Sequence, residues 1–146
     1  MKRSMLRRSR GLATLIAATL LVPTLTACVP NNDRGGEVGK QMDVAAKQIQ
    51  TTLEQRPGVV GAQVIYQDNF ETPGSAAVTV GIKPGTDLNA IVDDALRLIW
   101  QSKLAPLHVI RIDVSYYKSD QLGTTKGVDA DKDKAELDAK YGPRPK

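Results

Sequence analysis

The fold of this chain is decided by the stretch Ala76-Ala77-Val78-Thr79-Val80-Gly81-Ile82-Lys83. Apolar residues occupy every second position and small or polar residues lie between them, which is the period of a β-strand with one buried face. Pro84-Gly85 ends this pattern, because proline cannot donate to a sheet ladder and glycine permits a sharp turn. A strand is therefore predicted to end at this turn.

A second strand is predicted just before the first, and the two are expected to pair as a hairpin. Its apolar face consists of Val60, Ala62, Val64 and Tyr66, and the alternating positions are Gly61, Gln63, Ile65 and Gln67. The segment from Asp68 to Ser75 is rich in turn-forming residues and has Phe70 near its tip.

Amphipathic helices are predicted on both sides of this hairpin, because apolar residues recur there at three- and four-residue spacing. The first helix has Met42, Ala45, Ala46, Ile49 and Leu53 on its apolar face. It stops at Arg56-Pro57-Gly58. The second begins at a cap formed by Thr86 or Asp87, runs to about Lys103, and presents Leu88, Ile91, Val92, Ala95, Leu96 and Ile99.

A third strand completes the predicted domain. Its apolar face carries Ile110, Ile112, Val114 and Tyr116. A right-handed crossover through the second helix makes the last two strands parallel and places both helices on one face of the sheet. The predicted fold is therefore an α+β two-layer sandwich with the order α-β-β-α-β. Its other face would display Gln63, Gln67, Thr79, Lys83, Arg111 and Asp113, a polar and flat surface suited to water or to another subunit.

This succession of elements, with Pro57-Gly58-Val59-Val60 at the first helix-to-strand turn, resembles ferredoxin-like modules that lack the first strand. The cytoplasmic dimerisation domain of cation-diffusion metal transporters is one such module, and BON domains of bacterial envelope proteins are more distantly similar. The resemblance covers about Val44 to Tyr117 and implies the fold. It implies no metal transfer, because His108 is the only histidine and Cys28 the only cysteine.

The residues after Ser119 are predicted to form a polar C-terminal tail over 119–146. Gly123-Thr124-Thr125-Lys126-Gly127 has the composition of a linker. The charged stretch from Asp131 to Tyr141 suits a short helix ended by Gly142-Pro143. Its apolar face is too thin for independent stability, so it is expected to dock weakly or to fray.

The N-terminus has the features of an export signal. Lys2, Arg3, Arg7, Arg8 and Arg10 precede an apolar run from Leu12 to about Val22, which is shorter than a membrane-spanning helix needs and is interrupted by Pro23. An uncleaved membrane anchor is the alternative. Arg7-Arg8 lacks the apolar pair of a twin-arginine signal close behind it.

Leu25-Thr26-Ala27-Cys28 follows this run and resembles the lipobox of bacterial lipoproteins. The resemblance implies a signal peptide over 1–27 and a Cys28 that carries diacylglycerol, with or without an N-acyl chain. It implies attachment to the extracytoplasmic side of the cell membrane. The composition of the signal and of the C-terminus is similar to that of actinobacterial lipoproteins. Residues 28–39 are rich in turn formers and are predicted to be a flexible tether to a domain over 40–118.

The basic net charge of the whole chain comes largely from the signal. Five of its 20 Lys and Arg residues precede Cys28, whereas all 16 Asp and Glu residues follow it, so the mature part has 15 minus 16, or −1. This balance gives no support to nucleic-acid binding. The membrane, a second copy of the chain, or an envelope protein complex are the expected partners.

No catalytic, metal or cofactor site is predicted. His108 has Asp113, Ser115, Asp93 and Asp94 as candidate neighbours, but it lies on the opposite strand parity from Asp113 and Ser115, so these three cannot form a triad along one strand. Asp129, Asp131 and Asp133 alternate like the start of a calcium loop. Lys134 and Lys140 occupy the positions at which such a loop needs glycine and a bidentate carboxylate.

Three aromatic residues are candidates for partner contact. Trp100 lies on a helix that is apolar around much of its circumference, although a place in the core between the helices is the favoured interpretation. Phe70 at the hairpin tip and Tyr117, on the polar face of the third strand, are the others. The expected function is a non-catalytic interaction or assembly module on a lipid anchor. The alternative is a carrier or sensor that holds a small ligand between sheet and helices.

Overall fold

A computed structural model describes residues 36–145. The elements are α1 (Glu37–Glu54), β1 (Val59–Gln67), β2 (Ser75–Ile82), α2 (Leu88–Trp100), β3 (Val109–Tyr116), β4 (Thr124–Asp129) and α3 (Lys134–Tyr141). The predicted signal peptide, the lipobox residues Leu25, Thr26 and Ala27, the lipidation site Cys28 and most of the predicted tether lie outside the described residues.

The strands form one mixed sheet in the order β1-β2-β3-β4. β1 and β2 are an antiparallel hairpin, β2 and β3 are parallel, and β4 runs antiparallel to β3. The predicted α+β sandwich and its parallel pair are therefore confirmed. The parallel pairing follows from the crossover, because a helix between two neighbouring strands returns the chain to the same end of the sheet.

One face of the sheet is the core face, and the helices lie on it. Its fully buried side chains include Ala76, Val78, Val80, Ile82, Ile110 and Ile112. Leu53 of α1 and Ile99 of α2 are fully buried against them. Burying one such aliphatic side chain contributes about 1.5–3 kcal/mol. The core is thus formed by the alternating apolar side chains of the strands and by one apolar stripe on each long helix.

A β-bulge changes the predicted face of Val60. Val59 is opposite Ile82 and Gly61 is opposite Gly81, so Val60 is the extra residue of β1. Val59 consequently packs against the core, whereas Val60 is 41% exposed beside Gly81 on the sheet face opposite the helices. The predicted alternation is correct from Ala62 onward and wrong for Val60.

The long helices have boundaries slightly different from those predicted. α1 begins at Glu37, so 37–39, which the composition assigned to the tether, are helical. α2 ends at Trp100 rather than near Lys103. Asp87 is its cap, because its carboxylate accepts hydrogen bonds from the backbone N–H groups of Asn89 at 3.0 Å and Ala90 at 3.2 Å.

The C-terminal part is built into the domain, which corrects the prediction of a tail after Lys118. The expected linker over 123–127 supplies most of β4, which pairs with β3 from Thr124 to Asp129. Val128, Ala130 and Leu137 join the core. The pattern did not predict β4, because only Val128 in this strand is a large apolar residue, and the open edge of β3 provides the hydrogen-bonding partners that stabilise it.

Candidate functional site

The sheet face opposite the helices is open to solvent in the part of the chain that the structure describes. Gln63, Thr79, Arg111, Ser115 and Thr125 are exposed on it. Ile65 of the edge strand β1 and Ala77 of β2 are paired on this face and are partly exposed. The face is therefore mainly polar, as the alternation predicted, with a few apolar side chains among the polar ones. We call it the outer face.

Two charged side chains of the outer face, Arg111 and Asp113, are held in a hydrogen-bonded cluster with Thr125. Arg111 Nε donates to one carboxylate oxygen at 2.9 Å and the Thr125 hydroxyl donates to the other at 2.5 Å. These hydrogen bonds, that of Arg111 first, lower the pKa of Asp113. The cluster joins β3 to β4. Its hydrogen bonds hold the three polar side chains in defined positions on the solvent-facing side of the sheet.

Trp100 belongs to the core. Its side chain is 1% exposed, and its indole Nε1 donates a hydrogen bond to the Gly142 carbonyl at 3.0 Å. The Arg144 guanidinium lies 5.4 Å from the ring centroid, which is a cation–π distance. Burial lowers the pKa of Arg144. A folded monomer therefore does not present Trp100 to a partner.

Phe70 is fully presented to solvent by a structured hairpin loop. Its side chain is 99% exposed. Beside it, the Asn69 carboxamide accepts a hydrogen bond from the Thr72 backbone at 2.7 Å, and the Asp68 carboxylate accepts one from the Gly74 backbone at 3.2 Å. These hydrogen bonds hold the loop in one conformation, in which the aromatic ring does not pack against the domain.

Tyr117 lies at the opposite end of the sheet from Phe70. It follows β3, is 53% exposed, and has the Lys118 ammonium 5.2 Å from its ring centroid. Leu122, which the sequence analysis did not select, is 90% exposed in the same connection to β4. The structure thus keeps the two exposed aromatic candidates at opposite ends of the sheet.

His108 contacts a carboxylate that the sequence analysis did not assign to it. Its Nδ1 lies 2.8 Å from Asp131 Oδ2, and both side chains are substantially exposed. Asp113 is five residues further along the chain, about 17 Å at the rise of a strand, and Asp93 and Asp94 belong to α2. The candidate neighbours are therefore not assembled around His108. No periodicity links positions 108 and 131, so only the β3–β4 pairing could bring them together.

A groove of about 450 Å³ between α2, β4 and α3 contains several convergent polar groups. Asp93 on its wall accepts hydrogen bonds from the Lys140 ammonium and, at 2.7 Å, from the Tyr141 hydroxyl. These bonds, that of Lys140 first, lower the pKa of Asp93. The pKa of Lys140 is raised by the same contact, and that of Tyr141 is raised chiefly by burial.

The alternating aspartates from the last residue of β4 to the start of α3 form a hydrogen-bonded turn. One oxygen of Asp129 accepts hydrogen bonds from the backbone of Asp131 at 3.2 Å and Lys132 at 3.1 Å. Asp133 accepts one from the Asp129 backbone at 3.2 Å. Lys132 donates to the second oxygen of Asp129, and this bond is the main cause of that group's lowered pKa. Within residues 36–145, no three metal-capable side chains are grouped to hold an ion.

Comparison with known proteins adds no assignment. No protein-family model matches the chain, and no curated protein matches it significantly. Among the helices of residues 36–145, none is long and apolar enough to span a membrane. The function has to be argued from the chain's own residues and their geometry.

Proposed function

We propose that this protein is a membrane-anchored envelope lipoprotein, lipidated on Cys28, whose domain is a non-catalytic interaction or assembly module. The observation that carries the proposal is the placement of Leu25-Thr26-Ala27-Cys28 behind a basic and apolar segment, with one folded domain beginning at Glu37, nine positions later (37 minus 28). A domain so close to a lipidated residue would be held at the membrane surface on its extracytoplasmic side.

The outer face is the surface that supports an interaction role. Four strands spaced by about 4.8 Å, with about eight residues each at about 3.3 Å, give this face an area of about 500 Å². A stable interface typically buries about 800 Å² on each partner. The outer face alone is thus sized for a transient contact with a second copy or an envelope complex.

Anchoring is tested by replacing Cys28 with alanine in cells that make the full chain. The unmodified protein is expected in the membrane fraction with the mass of a diacylglycerol-bearing polypeptide that begins at Cys28. Cys28→Ala is expected to retain its uncleaved signal peptide and to lack the mass of the lipid. Identical processing and mass in the two proteins would reject the lipoprotein proposal.

The interaction role is tested by photocrosslinking in intact cells. A photoreactive residue at Gln63 reports on the outer face, and one at Lys47, exposed on α1, is the matched control. We expect a defined adduct from Gln63 that disappears when Thr79, its neighbour across the hairpin, becomes arginine. An adduct of twice the chain mass identifies a second copy. Equal yields at Gln63 and Lys47 would argue against the outer face.

A small-ligand carrier or sensor is the second candidate, and the groove beside Asp93, Lys140 and Tyr141 favours it. Its volume of about 450 Å³ lies within the range of small-molecule sites. Native mass spectrometry of the protein purified from its cells would show a bound mass that is released on denaturation. Substitution of Asn89, which lines the groove and is exposed, by tryptophan should remove that mass. An unliganded native mass would count against the carrier.

A further inference from the structure

The end of the domain that carries Phe70 is also the end at which the chain enters from Cys28. α1 leads through a tight turn into β1, so the two elements run antiparallel and the start of α1 lies beside the end of β1. Met42 near the start of α1 accepts a hydrogen bond on its sulfur from the Ala105 backbone at 3.3 Å. The next residue, Pro106, accepts one from the Tyr66 hydroxyl at 2.6 Å near the end of β1.

The hairpin tip is attached to this same end. The Gly74 carbonyl accepts hydrogen bonds from the backbone of His108 at 2.7 Å and of Val109 at 3.2 Å. The exposed Val38 on the first turn of α1 and the exposed Val109 at the start of β3 lie at this end too, each 48% exposed. The opposite end, with Tyr117 and Leu122, is one strand length away, about 30 Å for the nine residues of β1.

The length of chain before α1 limits how far this end can be from a lipidated Cys28. Nine residues span at most about 32 Å when fully extended. The Phe70 end can therefore reach the bilayer even when the connecting chain is far from fully extended. The Leu122 end reaches it only if the whole domain turns over and the connecting chain runs alongside it.

We propose that Phe70 contacts the lipid surface and thereby orients the domain on the membrane, with the hairpin tip down and the outer face accessible from the side. This inference rests on the proposed lipidation of Cys28. A phenyl ring that is 99% exposed on a structured loop is suited to enter the headgroup boundary without any rearrangement of the domain.

The contact is shallow and depends on the anchor. Glu71 and Asp68 lie within two positions of Phe70 in the sequence, and their carboxylates resist entry of the loop into the hydrocarbon region. One phenyl ring is too small for stable membrane binding by itself, but a tethered ring meets the bilayer at high effective concentration. Phe70 thus sets orientation, whereas the lipid supplies attachment.

The test is a spin-label accessibility measurement on the mature, lipidated full chain in vesicles of phosphatidylcholine and phosphatidylglycerol. Cys28 is the only native cysteine and its sulfur is consumed by the lipid, so Thr72→Cys, two positions after Phe70, provides a single reactive thiol for a nitroxide and keeps the ring. Leu122→Cys is the matched control, because it places the same label at the opposite end and also keeps Phe70.

The expected result is a several-fold rise in the ratio of oxygen to nickel-chelate accessibility at position 72 on vesicles, relative to position 122. Equal accessibility at both positions, or a larger rise at position 122, would overturn the orientation. Mass spectrometry of the same samples measures the lipid on Cys28. A missing lipid would overturn both the proposed function and the orientation, whereas a lipidated protein with a fully hydrated label at position 72 would overturn the orientation alone.

Discussion

Trp100 and Gly142 are joined by a hydrogen bond of 3.0 Å from the indole Nε1 to the backbone carbonyl, across 42 positions of the chain. The Gln101 carboxamide donates to the neighbouring Tyr141 carbonyl at 2.6 Å. Arg144 then covers the indole ring and donates to the Leu104 carbonyl. The end of α2 therefore holds the residues after α3 in place, and the C-terminal part is a component of the fold.

Substitutions of Trp100 should act on stability and not directly on a binding surface. Trp100→Phe should lower the free energy of unfolding by about 1 kcal/mol through the lost hydrogen bond, plus a smaller packing loss. Trp100→Ala should lower it by about 3–5 kcal/mol because a buried cavity forms. Urea denaturation followed by circular dichroism measures both. An unchanged midpoint for Trp100→Ala would contradict the buried position.

Removal of the residues after Lys118 should destabilise the whole domain. A chain that ends there lacks β4 and α3, so the edge of β3 and the side chains now covered by Val128 and Leu137 become exposed. We expect weak or absent cooperative unfolding, measured by calorimetry against the chain that ends at Lys146. An equally sharp transition at the same temperature would restore the interpretation of a detached tail.

Acid should weaken the attachment of α3 to α2 through Asp93. Because its pKa is lower in the folded protein than the ordinary 3.8, the ionised carboxylate stabilises the fold above that value. This stabilisation is lost as the pH falls below about 4. Asp93→Asn should therefore be less stable than the unmodified protein at pH 7, and the difference should shrink at pH 3. Asp43→Asn, on the exposed side of α1, is the control. A difference independent of pH would contradict the role of ionised Asp93.

Substitution by alanine should have opposite effects on stability at Gly123, just before β4, and at Gly127, within it. A Cβ at Gly123 would lie 2.3 Å from the Val114 carbonyl oxygen, so Gly123→Ala should cost more than about 1 kcal/mol by displacing β4 from β3. A Cβ at Gly127 meets nothing within 4 Å, and Gly127→Ala should be neutral or stabilising by up to about 1 kcal/mol. Parallel urea titrations measure both. The reverse order would show that β4 does not have this register.

Phe70 should contribute nothing to the stability of the isolated domain. Its ring is 99% exposed, so Phe70→Ser should leave the free energy of unfolding within about 0.5 kcal/mol. Leu53→Ala, which truncates a fully buried side chain, should cost about 2–5 kcal/mol under the same conditions. A large loss for Phe70→Ser would mean that the ring packs against the domain in solution. Its availability to a lipid surface would then be rejected.

Local patterns predicted most of the fold because each long element carries its own signal. The alternation in β2 and β3 and the stripe from Met42 to Leu53 each recur along consecutive residues. The bulge at Val60 was missed because it depends on register with the partner strand. β4 was missed because a strand with one large apolar residue forms only where an existing edge supplies its hydrogen bonds.

The candidate contact residues were predicted unevenly for the same reason. The position of Phe70 in a hairpin connection was readable from the flanking turn residues, and its exposure agrees. The hydrogen-bond partner of Trp100 could not be predicted from the sequence, because Gly142 is 42 positions away. The His108–Asp131 and Asp93–Lys140 pairs likewise join elements that have no shared periodicity.

By itself the sequence determined the α+β class, the hairpin and the parallel crossover, because those features depend on the order and period of neighbouring residues. The anchor at Cys28 stays a prediction from the same kind of local pattern. Only the tertiary structure decided that the C-terminal part completes the sheet and that Trp100 is buried. It also decided that Phe70 lies at the end where the chain enters from Cys28. These relationships join residues far apart in the chain, and packing and hydrogen bonding fix them only after the sheet has formed.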